Sequence, residues 1–281
     1  MNAIEAAMPP FETLRWYLDA GVDECVGEIA ANRFAAPPPV SAQPQTPAPP
    51  SLAPSLAAAR QSANKSEDRP AHPKPAATAQ HPAAPSIAAG AKTLDELKAA
   101  LLALEGCALK STATQLVFAD GNPEAKVMFI GEAPGADEDR IGRPFVGQAG
   151  RLLDKMLGSV GLDRDKSYIT NLLVWRPPGN RTPTAQEVAM LLPFLERHIE
   201  LVDPELVVLL GGTAAQAVLA KSEGITKLRG KWFDYATPGL VRPVHALATF
   251  HPAYLLRQPA QKREAWRDLL MLRRKLDDLG V

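Results

Sequence analysis

The chain has little cysteine, no long apolar run and no excess of charge of either sign, and each shortage excludes a class of protein. Only two of its 281 residues are cysteines, Cys25 and Cys107, too few for the disulfide framework of a small secreted domain. No stretch reads as a signal peptide or membrane span, so we expect a cytoplasmic protein without a membrane partner. Lys and Arg number 31, and so do Asp and Glu, so any surface that binds an anionic polymer must be local.

Proline is unevenly distributed and divides the chain into three parts. Thirteen of the 27 prolines lie between Pro37 and Pro85, in a stretch with almost no large apolar residues, which predicts a disordered linker over residues 35–92. Residues 1–34 carry apolar side chains at roughly helical spacing, and this helical segment could bind the globular body or a protein partner. Residues 93–281 are long enough to fold as a globular domain, which we expect to be monomeric.

Short, mostly apolar runs alternate with amphipathic helical patterns in this globular part. The runs cover residues 127–130, 168–173, 206–210 and 246–250, and the helical patterns cover 93–104, 146–160, 184–200, 213–219 and 261–279. Strands that alternate with helices predict an α/β fold, with three layers around a short central parallel sheet of four strands. Right-handed crossovers place the loops after the strands at one edge, where ligands of such sheets bind.

Four side chains that could bind a ligand or take part in a reaction lie at the ends of these strands or in the connections after them. Glu132 stands in a Gly/Pro turn after the first strand, and Phe145 lies further along the same connection. Asn171 is within the second run, and His251 directly follows the fourth. Each of them, taken alone, could equally be a structural residue that anchors a loop or stabilises a turn. Because the topology brings all four to one edge, together they favour a binding or catalytic site.

The segments that carry these residues resemble the uracil-DNA glycosylase superfamily, and most closely its iron–sulfur branch, family 4. The matching segments are GEAPGADEDRIGRPFVGQAGRLLDKML, YITNLLVWRPPGNRTPTAQEV, LVVLLGGTAAQAVL and TFHPAYLLR. They span about residues 117–270, nearly the whole globular part. The resemblance implies a three-layer fold and a DNA-repair glycosylase that removes uracil from single- or double-stranded DNA and leaves an abasic site. It implies no lyase activity, since no lysine matches a catalytic position.

The same resemblance assigns a role to each side chain at the sheet edge. Glu132 would stabilise the positive sugar of the transition state and orient the attacking water. His251 would form a hydrogen bond to the oxygen of the leaving base. Phe145 would stack on the base once it is flipped out of the helix, and Asn171 would read its Watson–Crick edge.

The turn after the first strand would form the wall of the base pocket. The residues implied are Ala133, Pro134, Gly135 and Glu138. Glu138 matches a position near the methyl group of thymine and would exclude that base. Because Gly135 stands where related enzymes carry a tyrosine, hypoxanthine or xanthine could also fit.

DNA contacts are implied for the segment after the fourth strand and for one loop. Leu255 or Leu256, with Arg257, would enter the minor groove and fill the space of the flipped nucleotide. Candidate phosphate contacts are Arg176, Arg181 and Lys262. Each of these is also consistent with an ordinary helix turn or a solvated loop.

The chain departs from family 4 at the four cysteines that hold the cluster. Cys107 matches the first, but Lys110, Trp175 and Leu191 occupy the other three positions. Cys25 lies beyond the predicted linker. One thiolate cannot hold a cubane cluster, and Trp and Leu can replace its volume with apolar packing. We therefore predict no iron–sulfur cluster, no other cofactor and no metal.

Two other functions fit part of the sequence. A damaged-DNA-binding protein could keep the pocket without its chemistry, although the joint presence of Glu132, Asn171 and His251 disfavours this. A nucleotide-binding enzyme could use Gly211-Gly212-Thr213 at a helix N-terminus for phosphate. No Walker or dinucleotide-binding glycine pattern accompanies that turn, which makes this the weaker alternative.

Overall fold

A computed structural model describes residues 84–280, which belong to one compact unit. The predicted segment 1–34 and most of the predicted linker lie outside the described residues. The linker prediction is too long at its end, because Ala84–Gly90 form a helix and Ala84 and Ala88 are buried. Alanines can pack closely despite their small apolar surface, which composition alone does not reveal. Within residues 84–280, no helix has the length and apolar character needed to cross a membrane.

The described residues form helices and strands close to those predicted. The α-helices are α1 (Ala84–Gly90), α2 (Leu94–Ala103), α3 (Ala108–Thr112), α4 (Ala136–Ile141), α5 (Gln148–Gly158), α6 (Ala185–Val202), α7 (Gly212–Val218), α8 (Ile225–Leu228), α9 (Pro252–Arg257) and α10 (Lys262–Leu279). The strands are β1 (Ala119–Gly121), β2 (Val127–Gly131), β3 (Tyr168–Asn171), β4 (Leu206–Leu210), β5 (Trp232–Tyr235) and β6 (Val244–Thr249). Every strand and helix predicted between residues 93 and 280 is present, and no end differs by more than two residues.

The strands form one sheet in the order β1-β3-β2-β4-β6-β5. The four inner strands run parallel, which confirms the predicted central sheet. The edge strands β1 and β5 pair antiparallel to their neighbours and were not predicted. Their residues are largely half-buried or exposed, so they lack the continuous apolar run that identified the inner strands.

Alternate residues of the inner strands face two separate core layers, as the two-residue period of a strand requires. Val127 and Phe129 pack with α5 and α10 on one face. Met128 and Ile130 pack with α2 and α6 on the other. Because every residue of β2 and β4 is buried, both faces of the sheet are covered, and the three-layer architecture is confirmed. The loops after β2, β3, β4 and β6 all leave from the same edge.

Candidate active site

A cavity of about 450 Å³ opens at the carboxyl edge of β2, β3 and β6. It brings together most of the residues predicted from sequence. Those that line it are Glu132, Ala133, Pro134, Gly135, Glu138, Phe145, Asn171, Arg181, His251 and Arg257. Residues at the ends of three different strands or in the connections that follow them therefore share one site, and only the parallel sheet brings them together.

Glu132 directly follows β2 and is half-buried at the cavity wall. The hydroxyl of Thr213 donates a hydrogen bond to Oε2 of this carboxylate at 2.6 Å. Thr213 is the second residue of α7, in the glycine turn that the sequence offered as an alternative phosphate site. Sequence reasoning missed this contact, although a hydroxyl just after β4 lies on the same edge as Glu132.

His251 caps the N-terminus of α9, and its ring has a defined proton arrangement. The backbone N–H of Ala253 donates to Nδ1 at 3.1 Å, so the neutral ring carries its own proton on Nε2. Burial, together with the positive charge of Arg257, lowers the pKa of His251 to about 4. At neutral pH the site therefore offers an uncharged imidazole that can donate from Nε2.

Phe145 is held in an unusual backbone conformation beside this histidine. Its φ of 55° lies in the left-handed region, which is uncommon for an aromatic residue. Its ring is stacked on His251, with ring centroids 5.6 Å apart. The side chain is 4% exposed, yet it still forms part of the cavity wall.

Two charged side chains fix the loop that carries Phe145. The carboxylate of Glu138 accepts from the backbone N–H groups of Val146 and Gly147, both at 2.9 Å, and from that of Gly135 at 3.1 Å. The guanidinium of Arg164 donates to the carbonyl of Phe145 at 2.5 Å. Glu138 thus joins the two loop segments at the cavity, and its thymine-excluding role stays a prediction. Arg164 was missed because no local pattern identifies a residue that acts on a loop nineteen positions away.

Asn171, at the end of β3, has a buried amide with an open acceptor. The residue is 2% exposed, and its Oδ1 has no hydrogen-bond partner within the described part of the chain. Gly131 makes room for it, because a Cβ there would meet both the amide oxygen of Asn171 and, at 2.6 Å, the ring of Phe145. A buried carbonyl without a donor is costly, so this atom is suited to a ligand that supplies one.

The loop after β3 is braced by its own hydrogen bonds. The guanidinium of Arg181 donates to both carboxylate oxygens of Glu187. These hydrogen bonds are the main reason that the pKa of Glu187 is lowered to about 2. Arg176 donates from Nε to the side-chain carbonyl of Asn180 at 2.7 Å. Arg181 is exposed and reaches the cavity, whereas Arg176 is half-buried and does not line it.

The two leucines of α9 face opposite environments. Leu255 is 1% exposed and packs in the core, so it cannot reach DNA without leaving that core. Leu256 is 41% exposed, and Arg257 beside it is exposed as well. The alternation follows from the helix, which turns adjacent residues to different faces. Of the two predicted wedge residues, the structure therefore leaves Leu256.

The four positions that correspond to cluster ligands do not fit an iron–sulfur cluster. Cys107 is a free, buried thiol whose pKa is raised by burial. The ammonium of Lys110 donates to the backbone carbonyl of Leu104 at 3.3 Å. Trp175 and Leu191 are 2% and 1% exposed in the same apolar core layer as Cys107. Between residues 84 and 280 no cluster of three or more His, Cys, Asp or Glu side chains is arranged to hold a metal ion.

Comparison with known proteins gives a consistent picture. The family model described as "Uracil DNA glycosylase superfamily" matches residues 118–270. A type-4 uracil-DNA glycosylase of Archaeoglobus fulgidus is 40% identical over 177 residues, which cover 62% of this chain and 88% of that protein. A type-4 enzyme of Thermotoga maritima is 43% identical, covering 54% of this chain and 77% of the relative. A type-5 uracil-DNA glycosylase of Thermus thermophilus is 30% identical, covering 57% and 79%.

Proposed function

The chain belongs to the uracil-DNA glycosylase superfamily, and from this premise we propose that it hydrolyses the N-glycosidic bond of uracil in DNA and leaves an abasic site. The observation that carries the proposal is the meeting of Glu132, Phe145, Asn171 and His251 around one cavity. A carboxylate, an aromatic ring, an amide and a neutral imidazole are the groups that this hydrolysis needs. The enzyme acts in DNA repair, where removal of the base is the first step.

Glu132 and His251 act on opposite charges of the transition state. As the glycosidic bond breaks, the sugar becomes oxocarbenium-like and the base leaves as an anion. The Glu132 carboxylate stabilises the positive sugar and orients the water that adds to it. His251 donates its Nε2 proton in a hydrogen bond to the base oxygen where the negative charge collects. The uncharged imidazole suffices, because a donor is needed there and full proton transfer is not.

Asn171 and Phe145 recognise the flipped base. The open Oδ1 of Asn171 accepts the N3–H of uracil, and its amide nitrogen donates to the neighbouring carbonyl. Phe145 supplies a flat apolar surface for the ring. Hypoxanthine presents a similar N–H next to a carbonyl, so cleavage of deaminated purines belongs to the same proposal. A panel of oligonucleotides that carry uracil, hypoxanthine, xanthine or thymine tests this range, and release of uracil alone would exclude the extension.

Contacts to the DNA backbone and groove belong to residues of α9 and of the loop after β3, which are exposed except for the half-buried Arg176. Leu256 fills the gap left by the flipped nucleotide, and Arg257 lies beside it. Arg176 and Arg181 position the phosphates from the loop after β3. Since Arg181 is already paired with Glu187, its phosphate contact would compete with that ion pair.

We further propose that this enzyme works without an iron–sulfur cluster, although family 4 in general holds one. The support is the donor set itself, with one thiol, one ammonium and two apolar side chains at the four positions. Purified protein should lack the broad visible absorbance of a cluster and contain no stoichiometric iron. A brown protein with four iron atoms per chain would refute this part of the proposal and leave the glycosylase activity untouched.

A single comparison tests the catalytic assignment. The wild-type chain should release uracil from an oligonucleotide, and Glu132→Gln should slow this by orders of magnitude while retaining binding of uracil-containing DNA. Asp137→Asn, an exposed acid on α4 paired with Arg140, is the matched control and should keep full activity. A wild-type chain that binds such DNA without releasing base would instead be a non-catalytic damage-binding protein.

A further inference from the structure

Thr213 is the one hydrogen-bond partner of the Glu132 carboxylate among residues 84–280. Its Oγ1 donates to Oε2 at 2.6 Å. No donor of the described chain contacts the other oxygen, Oε1, so this second oxygen is left for substrate and water. Both side chains are half-buried, and a hydroxyl-to-carboxylate bond is strong where bulk water is limited.

The backbone turn after β4 determines where this hydroxyl lies. Gly211 has a φ of 99°, and its N–H donates to the carbonyl of Thr249 at 2.9 Å, which ties the turn to the end of β6. A Cβ on Gly211 would lie 3.1 Å from the Cβ of His251. The same turn therefore contacts both catalytic side chains: Thr213 binds Glu132, and Gly211 leaves space for His251.

We propose that Thr213 is a positioning residue for uracil excision, one that holds Oε2 of Glu132 so that Oε1 faces the sugar and the attacking water. A glutamate has three rotatable bonds, and a carboxylate that can turn away loses much of its effect on a transition state. A hydrogen bond that fixes Oε2 also determines the direction in which Oε1 points. This inference rests on the proposed function, because it concerns the same reaction.

The chain offers a matched control for the loss of such a bond. Thr237 also donates from Oγ1 to a half-buried carboxylate, that of Glu200, at 2.6 Å. That pair joins α6 to the segment after β5 and does not line the cavity. Valine has nearly the shape of threonine without the donor, so Thr213→Val and Thr237→Val each remove one hydroxyl-to-carboxylate hydrogen bond, at the site and away from it. Glu200 keeps its contacts with Arg197 and the Gly239 N–H in the control. Thr213→Ser keeps the donor.

The experiment uses the full-length chain and these variants. It measures the maximal rate of uracil release under single-turnover conditions, the enzyme concentration at which the rate is half-maximal, and the melting temperature of each protein. Thr213→Val should lower the maximal rate by about 10- to 100-fold, the range for one hydrogen bond to a charged group, with little change in the half-maximal concentration. Thr213→Ser should recover most of the rate. Thr237→Val should cleave at the wild-type rate even where its melting temperature falls.

A double substitution shows whether Thr213 acts through the carboxylate. In a Glu132→Gln background, adding Thr213→Val should slow cleavage far less than it does in the wild type, because the group that it positions is already lost. Equal effects in both backgrounds, or a Thr213→Val enzyme as fast as Thr237→Val, would overturn the inference. If the wild-type chain released no uracil at all, the proposed function would fail instead.

Discussion

The ring of Phe145 is stacked on the imidazole of His251, with centroids 5.6 Å apart and an interplanar angle of 29°. The surface proposed to hold the base and the group proposed to stabilise its negative charge are therefore in direct contact. Phe145 also has a left-handed backbone, which is held by hydrogen bonds from both sides of the loop. A change in this loop should consequently alter base binding and the histidine together.

Replacement of Phe145 by alanine should lower uracil release by about 10- to 100-fold, because base stacking on an aromatic ring is worth about 1–3 kcal/mol. The support that the ring gives to His251 is lost as well, so the maximal rate should fall along with the affinity. Phe233→Ala, on the edge strand β5 away from the cavity, is the control. Single-turnover cleavage is the measurement, and equal rates for the two variants would count against a stacking role.

Two glycines of α5 provide a sharper test of the loop. A Cβ on Gly150 would overlap the backbone carbonyl of Phe145, whereas a Cβ on Gly158 would meet nothing within 4 Å. Gly150→Ala should therefore displace the Phe145 loop and reduce both activity and melting temperature. Gly158→Ala should keep full activity and raise the free energy of unfolding by up to about 1 kcal/mol, since alanine favours the helix. Loss of activity in both variants, or in neither, would contradict the claim that Gly150 alone of the two leaves space for the Phe145 loop.

The central sheet and the cavity residues could be predicted because their signals are local. The run 127–130 is apolar throughout, which identifies a strand covered on both faces, and parallel topology then places Glu132, Asn171 and His251 at one edge. The edge strands β1 and β5 gave no such signal, since their side chains are mostly half-buried or exposed.

The supporting contacts could not be predicted, because they depend on tertiary distances. Thr213 lies 81 positions from Glu132 and Arg164 lies 19 positions from Phe145, and no periodic pattern links such pairs. The sequence identified Glu138 as a residue facing the base, but the structure shows that its carboxylate binds three backbone N–H groups. Side-chain direction within a loop is set by these bonds, which sequence reasoning does not supply.

Trp175 stands at a cluster-ligand position and should carry a structural role in place of metal. It is 2% exposed in the apolar core, so Trp175→Ala should leave a cavity and lower the free energy of unfolding by about 3–5 kcal/mol. Trp266→Ala is the control: that ring is 43% exposed on α10 and should matter far less. Urea denaturation of both variants measures the difference. Similar unfolding midpoints for the two variants would show that the Trp175 side chain does not stabilise the core in the place of a cluster.

Acid should destabilise the protein through His198, which is buried in the core, and His251, which is half-buried at the cavity. His198 lies against Phe118 and shares a 2.9 Å hydrogen bond with the hydroxyl of Tyr168, and burial lowers its pKa to about 3. Burial also lowers the pKa of His251, to about 4. Below about pH 6.5 the unfolded chain binds protons at both positions while the folded chain stays neutral there. The free energy of unfolding should therefore decrease as pH falls from about 6.5 to 5, by up to about 1.4 kcal/mol per pH unit for each histidine. Urea unfolding across this range measures the slope. His198→Gln, which cannot titrate, should remove the contribution of His198 and leave that of His251, so the slope should become shallower, and an unchanged slope in that variant would contradict the assignment.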